Sequence, residues 1–329
     1  MKISNVALQI RKYNEDTVFV NKRAKVVHKI KALLFSVFKI IVLLGISYII
    51  LGPVISIISN SFYSATDVYN PSVFLFPLRP TMENYRLSFL RLDYWSTLGG
   101  TLLFVLSITF IQVVIASMTG YGFARFDFPF KKLLFGCVIL TIVLPSHTIM
   151  LPIYQHFRNW DVLGIIRLVT GEKANLLSTE APMYLMTLLG TGLRSGLFIY
   201  IFRQFFRGLP KEIEEAAFID GAGMWYTYFR IMLVNAIPAV LTVSVFSLVW
   251  QYNDMFYVSL FSMPSKHNIS FRLSTIQATI SFVDQVRDPM ISQLYVYAGV
   301  VLVLAPILVI YLILQKYFME GVERSGIVG

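Results

Sequence analysis

In the stretch "EEAAFIDGAG", residues 214–223, the carboxylates of Glu214, Glu215 and Asp220 stand beside Ala216, Ala217, Gly221 and Gly223. Such a set suits recognition of another protein rather than bond making. The alanines favour helix and present little bulk, so a partner's surface can come close, and the glycines permit the sharp turn that ends a helix. Nothing else in the chain offers catalysis. His28, His147, His156 and His267 show no metal-ligand spacing, and the one cysteine, Cys137, can form no intramolecular disulfide and reads as a small buried apolar residue. A G-x-x-x-x-G-K-[ST] phosphate cradle is absent, as is any Gly-Lys pair, so this chain offers no P-loop for a nucleotide. The expectation is a chain with no catalytic centre and no metal site.

The stretch belongs to "RGLPKEIEEAAFIDGAGMWYTYFRIML", residues 207–233. Pro210 is placed near the first turn of a helix, and Glu212, Glu214 and Glu215 follow where carboxylates interact favourably with the positive end of the helix dipole. Ile213, Phe218 and Ile219 add apolar contacts that water alone would explain poorly. Two readings stand: a short docking helix that carries a push from a soluble partner, or a connecting loop with ordinary helix chemistry.

What must position this helix is a bilayer. The 329 residues are 56% hydrophobic and 14% charged, with a mean hydropathy of +0.67, against roughly 25% charge in a soluble domain. A helix needs about 20 predominantly apolar residues to cross the hydrocarbon core. Windows of that kind lie near 40–59, 98–118, 133–154, 183–205, 231–250 and 294–314, which predicts six spanning helices with the docking helix between the fourth and fifth. The first 39 residues are too polar and charged for a cleaved secretory signal, so the first span is expected to be retained.

The net charge of +10 is explained by topology. With the N-terminus inside, inner segments carry nine Lys/Arg in residues 1–39, three in 125–132, four in 203–230 and two after 315; the three outer loops carry three each, and Arg194 is left over within the fourth window. This is the positive-inside bias, with both termini cytoplasmic. Two domains follow. Residues 1–39 form a basic tail, either an amphipathic helix on the anionic inner leaflet or a segment held by a protein partner, and residues 40–329 form the membrane domain. Pro145, Pro152 and Pro306 within apolar windows predict kinks. Arg194, the charged residue deepest in an apolar segment, either faces a cavity or a partner or lies near the outer end of its span.

"EEAAFIDGAG" resembles the signature loop of the membrane subunits of binding-protein-dependent ABC importers, in which Glu-Ala-Ala is followed three residues later by Gly. The family then shows Ile-x-Leu-Pro, where this chain has Ile231, Met232, Leu233 and Val234; the departure falls at the start of the fifth span. "GYGFARFDFPFKKLLF" (120–135), "LVWQYNDMFY" (248–257) and "QKYFMEGVERSGIVG" (315–329) are similar to the smaller permease of maltose-type and oligosaccharide importers.

The resemblance implies an all-α, six-helix type I ABC importer fold in the bacterial cytoplasmic membrane, working as a heterodimer with a second homologous permease. Two ATPase subunits would hold ATP and Mg, and an extracellular or periplasmic sugar-binding protein would deliver the ligand. It places Glu214, Glu215, Ala216, Ala217, Asp220 and Gly221 at the ATPase contact, with Glu215 pairing a basic residue there. Trp250, Tyr252 and Asn253, with Arg194, become candidates for the sugar path; the alternative for the aromatics is anchoring at the membrane interface. A permease for a non-sugar solute is the nearest rival. An ion-coupled secondary transporter would call for intramembrane carboxylates, and no Asp or Glu falls in the six windows. Nucleic acid is not expected as a partner.

Overall fold

A computed structural model describes the backbone of residues 2–264 and 267–326, and the side chains of residues 31–264, 267–313 and 315. The described residues are helical apart from loops and one isolated antiparallel bridge between Trp160 and Ala174. The chain divides into two units, residues 1–59 and 60–329.

The first unit is essentially one helix, α1 (Lys2–Asn60), unbroken from the tail into the first apolar window. The basic side chains before Lys31 lie outside the described residues. From Lys31 to Asn60 the helix is long and apolar enough to cross a membrane, and Leu43, Leu44 and Ile49 are among its many exposed apolar side chains.

The second unit holds α2 (Glu83–Leu92), α3 (Tyr94–Arg125), α4 (Lys131–Val143), α5 (Met150–Arg158), α6 (Ile165–Thr170), α7 (Ala181–Leu188), α8 (Ser195–Gly208), α9 (Glu212–Ile219), α10 (Met224–Tyr226), α11 (Leu233–Asn235), α12 (Ile237–Tyr252), α13 (Phe256–Leu260), α14 (Ile269–Ser274), α15 (Ile276–Val283) and α16 (Pro289–Gly326). Helix α3 packs along α8 and α12, while α16 packs on α2, α12 and α15. Close approach of α3 to α8 depends on Gly120, where a Cβ would stand 2.6 Å from Cβ of Phe202 and 2.9 Å from the backbone nitrogen of Arg203. One core cluster gathers Phe104, Ile108, Tyr252, Phe261 and Ile276; a second gathers Tyr121, Phe198, Phe202, Phe206, Tyr228 and Met232.

The apolar windows do not all become straight helices. Among the described residues, three segments are each long and apolar enough to cross a membrane alone: Lys31–Asn60, Tyr94–Arg125 and Pro289–Ile313. Window 133–154 is bent by 103° between α4 and the 3-10 turn Ser146–Ile149 that leads into α5. The break sits before Pro145, where Leu144 is extended, as expected of a residue whose α conformation is disfavoured by a following proline. Window 231–250 falls across a bend of 76° between Met224–Asn235 and α12. Window 183–205 is two helices, α7 and α8, rather than one; between them Gly190 and Arg194 both adopt left-handed backbone, at φ 71° and 59°. Pro306, by contrast, lies inside a continuous α16. Cys137, expected to be buried, is exposed on α4, a helix that buries none of its residues within this chain.

Candidate functional site

Helix α9 is eight residues long, with Glu212, Glu214 and Glu215 in its first turn. Its phase divides the sequence-predicted set. Glu214 and Ala217, three residues apart and therefore on one face, are buried, whereas Glu215, Ala216, Asp220 and Gly221 are exposed. Phe218 and Ile219 are exposed too, Ile219 at 85%, which is unusual for an isoleucine without a covering surface. They adjoin a further exposed group in sequence, Met224, Trp225, Tyr226 and Phe229, with Trp225 stacked on Phe229 at 6.1 Å between ring centroids.

The helix ends at a glycine for a backbone reason. Gly221 has φ +83° and nothing within 4 Å of a would-be Cβ, so conformation rather than space demands glycine. The amide of Ala222 donates to the carbonyl of Ala217 at 2.9 Å and that of Gly221 to Phe218 at 3.1 Å, the paired bonds of a Schellman cap. A side chain in left-handed backbone costs roughly 1–2 kcal/mol, and asparagine bears it best. Gly221→Val is therefore expected to speed amide exchange at Ala222 about tenfold while Gly221→Asn stays near the parent; hydrogen–deuterium exchange read by mass spectrometry checks this.

The inward face is clamped by residues the sequence reading did not assign. Oε2 of Glu214 lies 2.8 Å from Nε of Arg125 in an almost fully buried ion pair, and the Tyr121 hydroxyl donates to Oε1 at 2.6 Å. Arg125 also donates from Nη2 to the carbonyl of Leu209 at 2.9 Å, holding the loop that leads into α9. The Tyr121 ring packs on Phe206 of α8 and on Tyr228, whose hydroxyl lies 2.7 Å from Oγ of Ser117. These contacts join the inner face of α9 to the end of α3. Beyond the cap the chain winds into a π-helical stretch, Thr227–Met232, and then α11; Val234 continues helical and the bend falls after Asn235, with Pro238 in the first turn of α12.

Among the other candidates, Arg194 and Trp250 come together. The guanidinium lies 5.5 Å from the Trp250 ring, which stacks with Phe198 at 5.7 Å and with Phe246 at 5.4 Å. Buried Gln112 of α3 braces both sides of this pair: Nε2 donates to the carbonyl of Leu193 at 2.6 Å, and Oε1 accepts from Oγ of Ser247 at 2.7 Å. Tyr252 instead points into the core, fully buried, its hydroxyl donating to the carbonyl of Val303 at 2.7 Å. Asn253 is exposed and donates to its own helix at Val249. Arg194 also lines a cavity of about 360 Å³ with residues of α4, α5, α7 and α8, of the turns beside them, and Tyr257. The sequence carried no signal for it, because its walls come together only through the bend at Pro145 and the turn before α8.

Asp254 follows α12 and is buried. Its Oδ1 accepts from the amides of Phe256 and Tyr257 at 3.1 and 3.3 Å, while Oδ2 has no hydrogen bond among the described residues. Burial pushes its carboxyl up to about 6. A folded pKa above the ordinary 3.8 means that the charged form penalises folding. The penalty is absent below the unfolded value, grows as pH rises between the two, and is complete above about 6, at about 3 kcal/mol. Asp254→Asn keeps an acceptor at Oδ1, so it is expected to raise thermal stability at pH 8 and to lose that advantage near pH 4. Detergent-solubilised melting curves at the two pH values test this.

The family model for "Binding-protein-dependent transport system inner membrane component" matches residues 112–324, a range that includes α9 and its clamp. A probable ABC transporter permease protein of Pyrococcus horikoshii is 27% identical over 281 residues, 84% of this chain and 92% of the relative. The arabinooligosaccharides transport system permease protein AraQ of Halalkalibacterium halodurans is 25% identical over 288 residues, 86% and 93% of the two chains. Among solved structures, a chain of a bacterial ABC transporter involved in import of the acidic polysaccharide alginate superposes with a TM-score of 0.70 at 19% identity, over 87% of this chain and 96% of that one, a likeness of fold.

Proposed function

The chain belongs to the binding-protein-dependent transport system inner membrane components, and from that premise we infer that it is the sugar or oligosaccharide permease of an ATP-driven ABC importer, forming half of the translocation path beside a second, related permease. It sits in the membrane with six spans, the bent pairs and the α7–α8 pair counting as one span each, and with both termini cytoplasmic. A binding protein delivers the sugar from outside. Two ATPase subunits, which hold ATP and Mg, receive α9 on the inner side.

The observation that carries this reading is the two-faced character of α9. Its outer face presents Glu215, Ala216, Phe218 and Ile219, which no described residue of this chain covers. Its inner face is locked to α3 through Glu214 and Arg125. A helix that only joined two spans would have no need of exposed apolar residues opposite a buried ion pair. Closure of the ATPase dimer moves α9, the clamp transmits the movement to α3, and the permease turns from inward-facing to outward-facing. The sugar assignment draws support from the oligosaccharide permease among the relatives.

Purification from the native membrane in mild detergent, with mass spectrometry of the co-purifying proteins, tests the reading. Recovery of a second permease, an ATPase and a sugar-binding protein is expected. Repeated recovery of this chain alone would remove the docking role of α9.

A further inference from the structure

The cavity lined by Arg194 has a chemical character that sugar import in general does not require. Its volume of about 360 Å³ falls at the lower end of the roughly 300–1,000 Å³ of small-molecule sites. Its walls include the Trp160 and His156 rings and the hydroxyl-bearing Ser146, Thr191 and Tyr257, but no Asp or Glu. Trp160 is rigidly held: it stacks on Phe157 at 5.3 Å and 13°, and its backbone exchanges two hydrogen bonds with Ala174, at 2.8 and 3.0 Å. Arg194 is exposed and forms no ion pair among the described residues; its guanidinium lies 5.5 Å from the Trp250 ring, which attracts the cation without neutralising it, and its charge also acts on the Tyr257 hydroxyl. The first turn of α8, through Ser195, Gly196 and Leu197, also borders the cavity and adds the positive end of a helix dipole.

A neutral sugar would use the aromatic faces and hydroxyls of such a cavity and leave an unpaired guanidinium beside it. We propose that the cavity is a subsite for an anionic sugar residue of the uronate type, with Arg194 forking the carboxylate and Trp160 packing on the ring. Arginine is the side chain suited to this task, since its planar donors match a carboxylate in two parallel bonds. The proposal rests on the sugar-importer reading and deepens it.

The test uses the full chain in its membrane complex, reconstituted in nanodiscs without the binding protein, with tryptophan fluorescence and calorimetry as readouts. The probes are digalacturonate and the neutral galactobiose of the same linkage. Digalacturonate is expected to bind at least tenfold more tightly than galactobiose. Arg194→Gln should cut its affinity about 10- to 100-fold, the range of a hydrogen bond to a charged group, and leave galactobiose unchanged; Arg194→Lys should restore part of the preference. Equal affinity for the two sugars, an undiminished preference in Arg194→Gln, or binding of neither would overturn the proposal. These failures are distinguishable from failure of the importer reading, which shows as loss of the co-purifying permease and ATPase whatever the sugar.

Discussion

Replacing Glu215 by lysine is expected to abolish ATP-driven uptake, with a loss of at least tenfold in transport-coupled ATPase activity, while the helices insert and the chain folds as before. Glu215 is exposed and makes no contact that the fold depends on, and surface substitutions of this kind usually stay within about 0.5 kcal/mol. The lysine does sit in the first turn of α9, where a positive charge opposes the helix dipole at a cost of about 0.3–1 kcal/mol. Glu212→Lys separates the two effects, since Glu212 is exposed in the same first turn. If the dipole were responsible, both variants would lose uptake equally; if Glu215 pairs a cation on the ATPase, only its own reversal is severe. Assembly, ATPase stimulation and uptake measured side by side decide the matter, and unchanged values in all three for Glu215→Lys would sink the role given to it.

The second large effect is expected at the clamp. Arg125→Ala strands the Glu214 carboxylate in a site where both partners are about nine-tenths buried. Removing one partner of a buried pair costs about 3–5 kcal/mol, because the remaining charge is desolvated and uncompensated. The Tyr121 hydroxyl still donates to Oε1 and recovers part of this, whereas the Leu209 carbonyl loses its donor. Glu214→Ala should destabilise comparably by leaving the guanidinium buried. The paired apolar variant Arg125→Met with Glu214→Leu is expected to melt closer to the parent than either single change, since a buried ion pair is often no more stabilising than a hydrophobic pair of similar volume. A thermal double-mutant cycle built from Arg125→Met, Glu214→Leu and the two together would then show strong coupling between the two positions. Additive single effects would mean that the pair does not act as one unit, and the path from α9 to α3 would need another carrier.

The local signals around α9 are legible in the sequence. Pro210 and the first-turn glutamates mark where α9 begins, and Gly221 marks where it ends because left-handed backbone at the cap is a demand on one residue alone. The long apolar runs of α3 and α16 are legible for a similar reason: crossing a bilayer is a property of composition along one segment. The Glu-Ala-Ala-x3-Gly spacing identifies the family without any contact being known.

What only the tertiary structure decided is everything that depends on phase and on distant partners. Two adjacent glutamates are equivalent in a string, yet 100° of helical rotation sends Glu214 to Arg125 and Glu215 outward. Trp250 and Tyr252 were grouped by composition, and the packing of α12 separates them, one ring meeting Arg194 and the other hydroxyl meeting Val303. Window 183–205 is apolar on average, but hydropathy averages over side chains and is blind to the left-handed turn before α8 that places Arg194 at the wall of a cavity. Local propensity and composition act within a few residues and so survive in the sequence. Cavities, ion pairs and the facing of a side chain arise from segments far apart in the chain, and their geometry exists only once those segments pack.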